Sequence, residues 1–136
     1  MAPQLASRNI SRVRISFAQW YRKAQNRVRK YEIDFVDPEP EKKLVSARLV
    51  ADIARDHDLQ IYACSQTFLS QVQGITDSAC IDGILLQKLH PDKAPVTTKK
   101  DKTQRAECRC TGAIDIGSYT QHCPQSCLYC YANPSL

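Results

Sequence analysis

The chain has 136 residues, enough for one domain with a real core and too few for two large ones. Hydrophobic residues make up 43% and charged residues 24%, the balance of an ordinary folded protein, and no apolar run approaches the ~20 residues of a membrane span. The net charge of +5 is uneven: residues 1–30 carry eight Lys or Arg and no acid, which leaves eleven basic against fourteen acidic residues in the remainder.

An acid-free, Arg-rich opening admits three readings: a transit peptide, a nucleic-acid patch, or the solvated face of folded elements. The apolar pattern favours the last. Val13, Ile15 and Phe17 alternate as in a strand, and Phe17, Trp20, Tyr21, Ala24 and Val28 recur at helical spacing, with Ser16 as N-cap between them. Tyr31, Ile33 and Phe35 alternate again as a short strand, ended by Asp37-Pro38-Glu39-Pro40. A helix is predicted from about Glu39, with Leu44, Val45, Ala47, Leu49, Ile53 and Ala54 as its apolar stripe. Leu59 to Cys64 reads as a buried strand, and Ser65 to Gln73 as a short helix or turn ending at Gly74. Ser78 to Leu89 has a helical pattern with Ile81, Ile84, Leu85 and Leu89 inward, stopped by His90-Pro91.

Residues 91–107 are polar and Lys-rich and read as a linker. From Cys108 the composition turns to Cys, Gly, Tyr, Pro and Ser, which suits a turn-rich segment shaped by ligation. The expected fold class is α/β. Residues 1–90 form a partial (β/α) barrel-like parallel sheet with helices, part of a larger barrel-like domain, and 108–136 form a Cys-rich C-terminal segment.

Seven cysteines cannot all pair internally, and with no secretory leader in view the expectation is a reducing, cytoplasmic setting with metal or redox chemistry. Cys123, Cys127 and Cys130 form a C-x3-C-x2-C array, three soft ligands within eight residues. Such thiolates suit a soft metal or an iron–sulfur cluster, and three ligands to a [4Fe–4S] cluster leave one iron open. A rival reading takes Cys108, Cys110 and His122 as further ligands of a closed zinc site, a staple for a non-catalytic binding module. A third is electron transfer through a cluster alone. Cys108-x-Cys110 on its own admits a second centre, a dithiol, completion of the first site, or plain structure.

The aromatic Tyr129 directly before the last cysteine makes the array resemble the signature of radical S-adenosylmethionine enzymes. Several further pieces follow in order: Ile15-Ser16-Phe17, Cys80-Ile81-Asp82, Gln104-Arg105, Cys108-Arg109-Cys110, Asp115-Ile116-Gly117-x-Tyr119 and Cys123 through Asn133. Together they resemble the bacterial family called domain of unknown function 1848. The resemblance to radical S-adenosylmethionine enzymes implies a [4Fe–4S] cluster on Cys123, Cys127 and Cys130 and S-adenosyl-L-methionine as cofactor, with Tyr129 beside its adenine. It also implies an electron donor as partner if the chain is active as an enzyme, and a nucleic acid as one candidate substrate. No membrane partner is expected.

Other residues have plainer readings. Cys64 ends an apolar strand and Cys80 opens an apolar helix, so both are expected as small core hydrophobes. His57 suits a helix end and His90 a helix stop. Asp115 to Tyr119 reads as a turn, with orientation of substrate or cofactor as the alternative. No Walker loop, dinucleotide fingerprint or serine-hydrolase elbow is present.

Overall fold

The computed structural model describes residues 1–34, 36–114, 116, 125 and 127–130. The chain divides into two compact units, a body of Met1–Phe17 with Pro40–Ala113 and a second unit of Ala18–Glu39 with Ile114–Leu136.

The body is built on a three-stranded parallel sheet in the order β1 (Arg12–Ile15), β2 (Gln60–Cys64), β3 (Ile75–Ser78). Arg14 stands opposite Tyr62, and Tyr62 opposite Thr76. Because side chains alternate across a strand, Val13, Ile15, Ile61, Ala63 and Ile75 share one face. They pack with Ala47, Ala51 and Ala54 of helix α3 (Pro40–Arg55), with Leu59, Leu69 and Val72, and with Ala2 and Leu5 of the short N-terminal helix α1 (Ala2–Ala6). Arg12, Arg14 and Tyr62 take the opposite face. The fold is thus mixed α/β, as its strand–helix rhythm predicts.

Helix α3 presents alanines to the sheet, so the two backbones approach closely. Val45, Leu49 and Ile53, expected in the buried stripe, are exposed instead. The apolar residues of this helix occupy more of its circumference than one sheet face can cover, and the smallest ones won the interior.

A 3₁₀ turn (Thr67–Gln71) seals the end of the core with Leu69, which is fully buried. Gly74 then takes φ +90°, a left-handed angle that side chains rarely adopt, and turns the chain into β3. Strand β3 takes Ser78, where a helix is expected to start, and residues 79–82 are irregular. Its backbone pairs with β2, and its sequence, Ile75-Thr76-Asp77-Ser78, has too little apolar content to announce itself. Helix α4 begins only at Gly83 and ends at Leu89, capped by Asp82, whose Oδ1 accepts the Leu85 N–H at 3.1 Å. Ile81, Ile84 and Leu89 are exposed rather than inward.

Ser16 is not a helix cap. The Phe17 N–H donates to Gln66 Oε1 at 2.7 Å, and Gln66 Nε2 donates to the Phe17 carbonyl at 2.9 Å. This buried amide occupies both backbone groups that a helix would need there. In the second unit, α2 (Arg22–Lys30) therefore starts later, with Tyr21 as its N-cap. Tyr31 does not open a strand either: its N–H closes the end of α2 on the Arg27 and Val28 carbonyls, and Glu32 follows at φ +52°. Phe35 lies outside the described residues.

The alanine interface can be tested. Ala47→Leu should overpack it and lower stability by about 1–3 kcal/mol, whereas Leu49→Ala should stay within about 0.5 kcal/mol, both read from urea unfolding midpoints.

Candidate metal centre

Of the residues predicted to hold a metal, Cys123 lies outside the described residues, as do His122, Asp115, Gly117 and Tyr119. Cys127 and Cys130 are both free and half-buried. The Cys130 N–H donates to the Cys127 carbonyl at 3.0 Å, so the C-x2-C segment is a closed turn. Arg27 of α2, in the same unit, donates to the carbonyls of Cys127 at 3.4 Å and Leu128 at 3.1 Å. A guanidinium thus holds the backbone of the turn from behind. Tyr129 is 72% exposed. A hydrogen bond with the Cys127 side chain, followed by the charges of Cys127 and Cys130, raises its phenol above the ordinary range.

The body contains a second set of thiols. Cys64 is the last residue of β2, Cys80 lies between β3 and α4, and Cys108 and Cys110 are buried in the segment that follows the polar linker. The Cys80 Sγ donates to Cys64 Sγ at 2.7 Å. The Ile81 N–H donates to Cys110 Sγ at 3.3 Å, and the Cys110 N–H to Cys108 Sγ at 3.5 Å. Because Ile81 directly follows Cys80, its bond to Cys110 links the two pairs of thiols through the turn before α4. Among the described residues, no group of three or more His, Cys, Asp or Glu side chains is placed so as to hold a metal ion. The sulfurs meet as neighbours, not as a completed shell.

What brings distant cysteines together is a strap, residues 108–112. On one side it pairs with the linker: Asp101 N–H donates to the Cys110 carbonyl at 2.9 Å, Gly112 N–H to the Lys99 carbonyl at 3.0 Å, and Lys100 bridges Thr111 in antiparallel fashion. On the other it grips the turn before α4. The Thr111 N–H donates to the Ile81 carbonyl at 2.9 Å, and Thr111 Oγ1 accepts the Gly83 N–H at 3.1 Å. Gly83 permits this approach, since a Cβ there would collide with the Thr97 carbonyl. Arg109 projects outward from the strap and pairs with Asp77 at 2.9 Å.

This environment separates the thiols. Burial, then the hydrogen bond and charge of Cys64, push the Cys80 thiol up to about 12, with Arg14 opposing. Burial also raises Cys108. Burial works in the same direction on Cys110, but the Ile81 N–H, the Cys108 thiol and the Cys80 N–H outweigh it, and this thiol titrates below its ordinary value. Beside the group, Arg12, Arg14, Lys88 and Arg109 line a groove of about 570 Å³ with Tyr62 and Asp77.

Sequence reasoning assigned Cys64 and Cys80 to the core. Cys80 is exposed and Cys64 half-buried, so neither is a fully buried hydrophobe. The missed signal was the position of both at the exits of adjacent parallel strands, which required β3 to be recognised.

Taken together, sheet and thiols define a small α/β protein rich in soft ligands. Over residues 1–132 the chain matches the family described as domain of unknown function DUF1848, and it belongs to that family. No curated protein and no solved structure matches it.

The strap depends on Thr111. Thr111→Val should leave the buried Gly83 N–H without its acceptor and cost about 1–3 kcal/mol. Alkylation of Cys108 and Cys110 should accelerate in the same variant, measured by mass spectrometry under native conditions.

Proposed function

We propose that this DUF1848 protein is an iron–sulfur protein of radical S-adenosylmethionine type, with a [4Fe–4S] cluster on Cys123, Cys127 and Cys130. The observation that carries the reading is the C-x3-C-x2-C array, with Cys127 and Cys130 on a turn anchored by Arg27. Three soft thiolates fit such a cluster and leave one iron for an outside ligand. A backbone clamped through its carbonyls keeps the side chains of the turn available as ligands. The clamp also places a fixed positive charge behind a site that gathers negative thiolates.

With S-adenosyl-L-methionine bound at the open iron, the cluster would supply the electron that cleaves the sulfonium. The chain's own contribution is to hold and orient. Tyr129, exposed beside both cysteines, offers an aromatic face against which adenine can stack. An external electron donor then completes the partner set. The body is read as a segment of a barrel-like α/β domain. Its sequential, all-parallel strand order with helix α3 on one face supports this, and the polar face bearing Arg12, Arg14 and Tyr62 would turn toward the substrate side. A cationic face of that kind suits an anionic substrate, nucleic acid among them.

Anaerobic reconstitution of the full chain should yield about four iron and four sulfide at the tail. A Cys123→Ala, Cys127→Ala, Cys130→Ala variant should lose them. Adding S-adenosylmethionine should change the EPR spectrum of the reduced cluster in the parent protein. Iron retained by the triple variant, or a spectrum indifferent to S-adenosylmethionine, would overturn the assignment.

A further inference from the structure

We propose that Cys64, Cys80, Cys108 and Cys110 form a second, separate site in the body: a tetrathiolate for one soft divalent cation, Zn²⁺ foremost. It shares no ligand with the tail array.

Four thiols from three distant stretches of sequence meet at the exits of β2 and β3. Chance clustering of cysteines in a core would leave apolar contacts around each sulfur. Here the Cys80 sulfur lies 2.7 Å from that of Cys64, and backbone N–H groups are donated to sulfur, from Ile81 to Cys110 and from Cys110 to Cys108. Such donors favour a thiolate over a thiol, and they are the usual outer partners of metal-bound sulfur.

Spacing selects a single ion. With Zn–S bonds of ~2.3 Å, the sulfurs of a tetrahedral site stand about 3.8 Å apart. Cys64 and Cys80 are 2.7 Å apart, farther than the ~2.05 Å of a disulfide and close enough to open onto one ion by a small side-chain rotation. An iron–sulfur cube would need room for its inorganic core between the ligands, and the 2.7 Å between Cys64 and Cys80 leaves none between those two.

The surroundings fit the charge. Four thiolates around Zn²⁺ carry a net charge of −2. Arg12, Arg14, Lys88 and Arg109 line the adjoining groove. Next to Cys64, Ser65 sits at φ +54° with a buried hydroxyl that has no hydrogen-bond partner among the described residues. That donor is available to a sulfur that has become a thiolate. On loading, four thiols release four protons to solvent as four Zn–S bonds form, with no change of oxidation state. The ion would then tie the end of β2, the β3–α4 turn and the strap into one unit.

The test uses the full chain with Cys123→Ala, Cys127→Ala and Cys130→Ala, which keeps four of the seven cysteines and cannot build the tail site. Titrating this reduced variant with Zn²⁺ should show uptake of one equivalent, and that single equivalent should protect all four thiols together from alkylation. Co²⁺ in its place should give the d–d absorption of a tetrahedral thiolate site. Adding Cys80→Ser or Cys108→Ser should weaken Zn²⁺ binding at least tenfold. No uptake, protection of fewer than four thiols, or a Cys64–Cys80 disulfide whose reduction brings no metal binding would each overturn the proposal. The titration and the protection pattern decide the matter even if a serine variant fails to fold. Failure here leaves the tail cluster untouched, because that cluster is removed before the measurement.

Discussion

The grip of the strap on the turn before α4 is the contact on which the chemistry of the body depends. Thr111 bonds both to Ile81 and to Gly83, and the Ile81 N–H reaches back to the sulfur of Cys110. These bonds span about thirty positions of sequence across a polar linker that has no core of its own. Without them Cys108 and Cys110 would belong to a loop, and Cys64 and Cys80 to two strand ends with nothing above them. Gly83 is the concession that makes the grip possible, since any larger residue meets the Thr97 carbonyl.

Beneath the strap the sheet obeys a simpler rule. A parallel sheet ordinarily needs both faces covered, and here α3 covers one with alanines while the other carries Arg12, Arg14 and Tyr62. The division puts apolar energy on one side and charge on the other. The exits of β2 and β3 fall between these two environments, and Cys64 and Cys80 lie there. Cys64 is half-buried and Cys80 exposed, so the pair is shielded on one side and open on the other.

The sequence made strong periodic elements plain: β1, α3 and β2 are where alternation and helical spacing place them, and His90-Pro91 ends α4. It hid whatever depended on distant partners. No local pattern says that the Gln66 side chain will take both backbone groups of Phe17 and delay α2 to Arg22. Strand β3 has a single bulky apolar residue and exists because β2 offers it a ladder. The tail cysteines can be grouped as one array from the sequence because they lie close together in it and spacing alone describes them. The four body thiols were not, because their proximity is made by the sheet and the strap, and a cysteine at the end of an apolar run looks like a small hydrophobe.

The two sets of thiols also differ in the kind of coordination they suit. In the proposed tail cluster three ligands would leave a coordination position unfilled by protein, the condition for chemistry at a metal, and Arg27 holds the backbone of Cys127 and Leu128 from α2. Four ligands drawn from a strand end, a turn and a strap close the shell, the condition for rigidity. A protein that needs a reactive open centre gains from a closed one nearby in the chain. The strap makes the linker return to the sheet, and the body ends at Ala113, before the stretch of sequence that carries Cys123, Cys127 and Cys130. On this reading the paired use of cysteine follows from a division of labour: one group of sulfurs is built to hold the chain, the other to leave a place for something else.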